Sequence, residues 1–221
     1  MASRVDLREY AAPCAWWTME VNQRMGAQVA RLSLDAGRTP SQLSLANAIT
    51  GLATGVGVVL LGSTGWGAAL VGLVGWQLAY SLDCADGQLA RALGKASPLG
   101  GVIDSVADFL SQTALLLAVL WGAHQSVAGG LDPVVSAGLF GMWIMSPYYA
   151  GVMHDTVAQQ PVSGWSPRNV FRQLRDYGLH VAVLMAAMAI RPEWMIFDLI
   201  FVGSLNLLVL LRTLVIAARA D

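Results

Sequence analysis

Apolar residues gather into six long stretches separated by short polar breaks. They run over 41–61, 66–91, 99–121, 134–153, 177–190 and 193–218. Most reach the ~20 residues that a helix needs to cross the hydrocarbon of a bilayer, and the fifth is short. The pattern predicts an all-α integral membrane protein, a bundle of six transmembrane helices. The first has a marked start. Thr39-Pro40-Ser41-Gln42 fits a capping box, with Thr39 as N-cap, Pro40 at the first helical position and Gln42 reaching back. Upstream, Trp17, Val21, Met25, Val29 and Leu32 recur at helical spacing, while Arg24, Gln28 and Arg31 fall on another face. That is an amphipathic interfacial helix, an anchor on the cytoplasmic leaflet or a rim for an active site. The chain divides accordingly into an amphipathic juxtamembrane segment over 1–38 and a six-span domain over 39–221.

Composition agrees. Hydrophobic residues make up 56% of the chain and charged residues 12%, well below the ~25% charged share of soluble domains. A net charge of −1 gives no basic footprint for nucleic acid. The N-terminus lacks the apolar core of a signal peptide, so internal segments are expected to drive insertion. With both termini cytoplasmic, the inner segments hold Arg4, Arg8, Arg24, Arg31, Arg38, Arg91, Lys95, Arg168, Arg172, Arg175, Arg212 and Arg219, and the outer turns hold Arg191 alone. Twelve against one orients the bundle by the positive-inside rule, in a cytoplasmic (inner) membrane. Trp66, Trp121 and Trp194 near span ends read as interfacial anchors. Gly51-x3-Gly55 suits close helix packing, within the chain or in a homodimer. Cys14 and Cys84 do not make a disulfide framework by count, and Cys84 reads as a small apolar spacer.

One polar pattern breaks the apolar background: Asp83, Asp86, Gly87, Ala90 and Arg91, then Gly100, Asp104 and Asp108. Ionisable groups at membrane depth are costly and usually functional. On a helix, positions 83, 86, 87, 90 and 91 form one stripe, as do 100, 104 and 108 on the next. Gly94 and Ser97-Pro98 allow a short turn between them, so two neighbouring antiparallel helices can present four carboxylates to one cavity. Gly87, Ala90 and Gly100 remove bulk beside it and let a ligand approach the backbone. Asp104 and Asp108 lie about 9 and 15 Å along their helix from Pro98 at 1.5 Å per residue, so the cavity opens inward and reaches into the membrane. Four clustered carboxylates need compensation, and Arg91 offsets one at most. Oxygen-only ligands suit Mg²⁺, Mn²⁺ or Ca²⁺, and the cluster suits a two-metal site for phosphoryl transfer. Buried salt bridges or proton-shared acids are the structural alternative.

At all eight of these positions the pattern resembles the CDP-alcohol phosphotransferase family. The resemblance implies an enzyme that takes a CDP-linked donor, such as CDP-diacylglycerol, and an alcohol acceptor. The acceptor hydroxyl attacks the phosphorus bearing the donor's alcohol group, and CMP leaves. Carried over by position, Asp83, Asp86 and Asp104 hold two divalent ions, Mg²⁺ or Mn²⁺, and Asp108 both ligates metal and serves as general base. Asp83, Gly87, Ala90, Arg91 and Gly100 lie against the nucleotide, with Arg91 either contacting phosphate or pairing with a motif aspartate.

Arg168, Arg172 and Arg175 would share a helix face. They suit a phosphorylated acceptor, such as glycerol phosphate or inositol phosphate, or equally the anionic leaflet. His154-Asp155 could line the acceptor pocket or form an interfacial pair. His180 reads as a hydrogen-bonded core histidine, and Asp198 as a residue of the outer interface. Two rival classes remain at this level. A cation transporter or channel could use the aspartates as an ion path, although such proteins often show paired repeats and broken helices. An inactive scaffold of the same family would not need all eight motif positions filled.

Overall fold

Helices occupy every one of the apolar stretches, and the polar breaks supply the chemistry that ends them. The computed structural model describes residues 6–154, 170 and 173–218. A 3-10 turn (Leu7–Tyr10) and a π-helical turn (Thr18–Asn22) lead into α1 (Gln23–Asp35). Then come α2 (Pro40–Leu60), α3 (Gly65–Ala92), α4 (Pro98–Ser126), α5 (Pro133–His154), α6 (Tyr177–Ile190) and α7 (Met195–Ala217). No strand occurs among the described residues. Four segments are long and apolar enough to cross a membrane: Pro40–Leu60, Gly65–Ala92, Pro98–Ser126 and Pro192–Arg212. The expected count of six rests on α5 and α6 crossing as well. Both are apolar, but α6 has 14 residues, about 21 Å of helix against ~30 Å of hydrocarbon.

Local signals place the helix starts. The Thr39 hydroxyl accepts from the Gln42 amide (3.3 Å) and the Gln42 side chain accepts from the Thr39 amide (3.1 Å), the reciprocal capping box. At the motif hairpin, Gly94 turns the chain at φ +61°. Ser97 then caps α4 by accepting from the Gly100 amide at 3.1 Å, with Pro98 in the first turn.

Packing inverts the usual soluble pattern. On α2, Leu45, Ile49, Leu52, Val56 and Leu60 are exposed, while Ser44, Asn47, Gly51, Thr54 and Gly55 are buried. Large apolar groups face outward, where lipid is as good a solvent for them as protein, and small residues let helices approach. A Cβ on Gly51 would lie 2.7 Å from Ser111 Cα, and one on Gly55 3.0 Å from Ala114 Cβ. The Gly51-x3-Gly55 motif therefore seats α2 on α4 within the chain, and offers no support for a homodimer. α2 packs along both α3 and α4, which touch each other only sparingly. A second apolar layer, with Trp76, Leu115, Leu116, Ile144, Leu184, Met188 and Leu199 fully buried, joins these helices to α5, α6 and α7. At one end of the bundle Gly122 abuts Ser63 and Met195. The exposed Trp66, Trp121 and Trp194 sit there, as an aromatic belt would.

α1 packs on α3 by its smallest residues. The face it turns to α3 is its small-residue face: Gly26, Ala27, Ala30 and Ser33. A Cβ on Gly26 would come within 2.9 Å of Cys84 Cβ and 3.0 Å of the Ser81 carbonyl, so close approach selects glycine here and Cys84 acts as the small spacer. The larger apolar residues Met25 and Leu32 point outward, Leu32 with 70% of its surface exposed. Arg24 pairs with Glu20 and Arg31 with Asp35 on the outer side.

Candidate active site

The two halves of the motif converge although their helices barely touch, because α2 fills the angle between them. Asp83, Asp104 and Asp108 each offer an oxygen within 4.8 Å of the others. Asp104 also lies within hydrogen-bond reach of Asp86. α2 supplies two neutral donors. Ser44 donates to Asp86 Oδ2 at 2.5 Å, and Asn47 Nδ2 donates to Asp108 Oδ1 at 2.9 Å. Among the described residues no donor reaches the buried Asp104 Oδ1, and none of the four aspartates forms an ion pair. Burying several carboxylates against one another without a base is unfavourable. Oxygen-only ligands, one of them without a donor, fit a hard divalent cation such as Mg²⁺ or Mn²⁺. The salt-bridge alternative fails on the same observation.

The four aspartates are divided between two cavities, Asp86 and Asp104 lining one and Asp83 and Asp108 the other. The first, about 430 Å³, is lined by Asp86, Gly87, Ala90, Arg91, Gly100 and Asp104, with Thr39, Ser41, Ser44, Lys95 and Ser97 around its mouth. Much of its lining is small residues, and it carries two cations, Arg91 and Lys95. Arg91 does not pair with an aspartate. Its Nε donates to the Tyr10 carbonyl at 2.7 Å, which ties the N-terminal 3-10 turn to the motif. Leu7 of the same turn is buried with Ala27, Ala30, Leu43, Ala85 and Leu89 beneath it.

The second cavity, about 280 Å³, is lined by Tyr80, Asp83, Asp108, Gln112, Trp143, Arg175, Tyr177, His180, Val202 and Asn206. Asp83 lines this cavity together with Asp108. The turn before α6 borders the cavity, and each of its residues is fastened to a different partner. Gln173 Oε1 accepts from the Trp16 amide (2.7 Å), and the Leu174 carbonyl is held by His180 Nε2 (2.8 Å). Arg175 Nε donates to Asn206 Oδ1 (2.8 Å). Asp176, 3% exposed, accepts from the Thr18 amide (3.0 Å), the Thr18 hydroxyl (2.6 Å) and the Gly178 amide (3.1 Å). The π-helical turn aims Thr18 and Asn22 at α3 together. Asn22 donates to Gln77 Oε1 at 2.8 Å, and Gln77 donates to the Gly178 carbonyl at 2.7 Å. Burial lowers the pKa of Arg175 from the ordinary arginine value while leaving it charged.

His180 is the expected hydrogen-bonded core histidine, and Asp198 is its partner. It is turned inward onto His180 Nδ1 at 2.8 Å, with only 9% of its side chain exposed. Arg168 and Arg172 lie outside the described residues, as does Asp155 of the expected His154–Asp155 pair. The sequence reading missed Ser44, Asn47, Tyr80, Gln112 and Asn206. A usable signal existed for most of them, since polar side chains inside apolar spans are rare enough to question one by one.

Fold and site together define a multi-pass helical membrane protein with a carboxylate cluster able to hold metal. The chain belongs to the CDP-alcohol phosphatidyltransferase family, whose sequence model matches residues 39–220. No curated protein matches the sequence. The family is one of transferases acting on phospholipid head groups. It implies a CDP-alcohol donor, an alcohol acceptor and a bilayer around the protein.

Proposed function

We propose that the protein transfers a phospho-alcohol group, the phosphatidyl group of a CDP-linked lipid such as CDP-diacylglycerol, to an alcohol acceptor with release of CMP in phospholipid biosynthesis. The observation that carries this reading is the division of the aspartate cluster between two cavities. A reaction that joins two substrates at one phosphorus is favoured when both are held in register beside the same reacting group. The nucleotide belongs in the first cavity. There Gly87, Ala90 and Gly100 leave room for a flat base and ribose, and Arg91 and Lys95 face phosphate. The acceptor belongs in the second. Its hydroxyl oxygen forms the new bond to phosphorus, the bond from that phosphorus to the oxygen of CMP breaks, and CMP carries away the bonding pair.

Asp108 takes the hydroxyl proton. It lines the acceptor cavity, and Asn47 engages one carboxylate oxygen and so fixes the orientation of the group. Asp83, Asp86, Asp104 and Asp108 would hold two divalent cations, Mg²⁺ or Mn²⁺. When bound, these would neutralise the diphosphate and stabilise charge on the leaving phosphate. Ser44 and Asn47 orient the ligands from behind. Six spans with both termini cytoplasmic place the donor cavity at the inner leaflet of a cytoplasmic membrane, as the charge asymmetry requires. α1 then lies along that leaflet with Met25 and Leu32 towards lipid.

The test is direct. Purified protein in detergent, given CDP-diacylglycerol, Mn²⁺ and an acceptor panel, should release CMP in step with a new lipid identified by mass spectrometry. Chelation should stop it. Metal-dependent ion flux through reconstituted vesicles, with no CMP released, would favour the transporter reading.

A further inference from the structure

Arg91 is held by chain that lies outside the family domain. The family match begins at residue 39, yet Arg91 Nε donates to the Tyr10 carbonyl at 2.7 Å, across 81 residues of sequence. That carbonyl belongs to the 3-10 turn Leu7–Tyr10, whose N-cap Asp6 accepts from the Arg8 amide at 3.0 Å. A single 3-10 turn has poor hydrogen-bond geometry and does not hold itself. Leu7 supplies the anchor. It is 2% exposed and sits where three helices meet, among Ala27 and Ala30 of α1, Leu43 of α2, and Ala85 and Leu89 of α3. The turn itself does not line the donor cavity, whereas Arg91 does.

The same contact settles where the guanidinium lies. A Cβ on Gly87 would fall 3.1 and 3.3 Å from the two Arg91 Nη atoms, so the fork lies over Gly87, one helical turn back along α3. Arg91 makes no ion pair among the described residues. With Nε committed to the carbonyl, the Nη groups remain for an anion in the cavity. An exposed arginine otherwise samples many rotamers, and an anion that binds it has to freeze them. Here that ordering is done in advance.

We propose, resting on the transferase reading above, that the N-terminal turn is a positioning element for the donor. The Tyr10 carbonyl presets Arg91 so that its fork meets the diphosphate of a CDP-linked donor, and Leu7 is the peg that keeps the carbonyl in place. Leu7 and Tyr10 act through Arg91 and touch no substrate. The clasp from Thr18 to Asp176 does the corresponding work beside the other cavity. Coupling between two sites is reciprocal, so a bound diphosphate also holds the turn in place.

Full-length variants in detergent test this. The readouts are the donor KM for CDP-diacylglycerol with Mn²⁺ and the fastest acceptor of the panel above, and the Kd for CDP by calorimetry. Leu7→Ala should raise the donor KM and the CDP Kd about three- to tenfold, the cost of immobilising one long side chain on binding, and leave kcat and the acceptor KM within about twofold. Leu7→Met, close in volume, should restore both. Asp6→Ala, at an exposed cap, should raise them less, and it carries the test if Leu7→Ala does not fold. A lysine ammonium cannot hold the carbonyl and present a fork at once. Arg91→Lys should therefore weaken the donor by itself, and adding Leu7→Ala to it should change nothing further. Saturating CDP with Mn²⁺ should slow hydrogen exchange over residues 7–11, but not in Arg91→Lys. Additive losses in the double variant, an equal rise in the acceptor KM, or exchange that ignores CDP would overturn the proposal and leave the transferase reading intact. CDP binding with no CMP released from CDP-diacylglycerol by any acceptor would instead overturn the transferase reading, and the CDP Kd series would still decide the role of the turn.

Discussion

The two cavities that divide the aspartate cluster are built in opposite ways. The proposed donor side is almost wholly local. Ten of its lining residues come from one helical hairpin, between Asp86 and Asp104, and most of their side chains are small. The acceptor side draws on residues from Tyr80 to Asn206, and the turn carrying its cation is held from Thr18, Trp16 and α7. One side is set by helical periodicity and the other by tertiary contacts. On the proposed reading, the chemistry of phosphoryl transfer is written in a short stretch of chain, whereas the choice of acceptor depends on how distant elements meet.

Substitutions can separate the two sides. The largest effect is expected at the cluster itself. Asp104→Ala removes a ligand that touches both halves of the cluster, and should abolish both Mn²⁺ binding, read by calorimetry, and CMP release with every acceptor. If Mn²⁺ binds as before, the cluster is not the metal site. Next comes Asn47→Ala. It deletes the amide that orients Asp108 and should lower kcat by about 10–100-fold, the usual cost of losing a group that orients a metal ligand, with both KM values little changed. An unchanged kcat would mean that Asp108 needs no orientation from α2.

The smallest effect is the most discriminating. Thr18→Val keeps the shape but withdraws the hydroxyl from the buried Asp176 carboxylate. Losing one hydrogen bond to a charged group should raise the acceptor KM about three- to tenfold, without altering the donor KM, and Thr18→Ser should restore it. Equal changes in both KM values would show that the N-terminal helix supports the bundle generally rather than the acceptor side.

The same contrast explains what could be read from the chain. The six helices, the Thr39 capping box, the Ser97-Pro98 turn and the eight motif positions follow from periodicity and local hydrogen bonding, so each was legible. Ser44 and Asn47 belong to a different helix from the motif, and nothing local ties them to Asp86 and Asp108. They were detectable only as polar residues on an otherwise apolar span. The helical spacing of α1 is legible, but its protein-facing side is not, because amphipathicity in a bilayer does not say which residues meet protein. Gly26, Ala27 and Ala30 win the contact with α3 by being small. Arg175 was flagged for its charge, whereas its partners Asn206 and the Asp176–Thr18 clasp span more than thirty and more than a hundred and fifty residues of sequence. The partner of Asp198 is hidden for the same reason, since only the fold brings His180 to it.

The central claim is that the divided aspartate cluster serves two substrates and that Asp108 acts from the acceptor side. Asp108→Asn tests it, with CMP release, CDP-donor binding and Mn²⁺ binding measured on one preparation. Asparagine keeps the shape and one ligating oxygen but cannot take the hydroxyl proton. CMP release should fall by about 10²–10⁴-fold, the usual worth of a general base, while donor and Mn²⁺ affinities stay within a few-fold of the unsubstituted protein. Turnover within a few-fold of the unsubstituted protein, or loss of donor and metal binding together, would contradict the account.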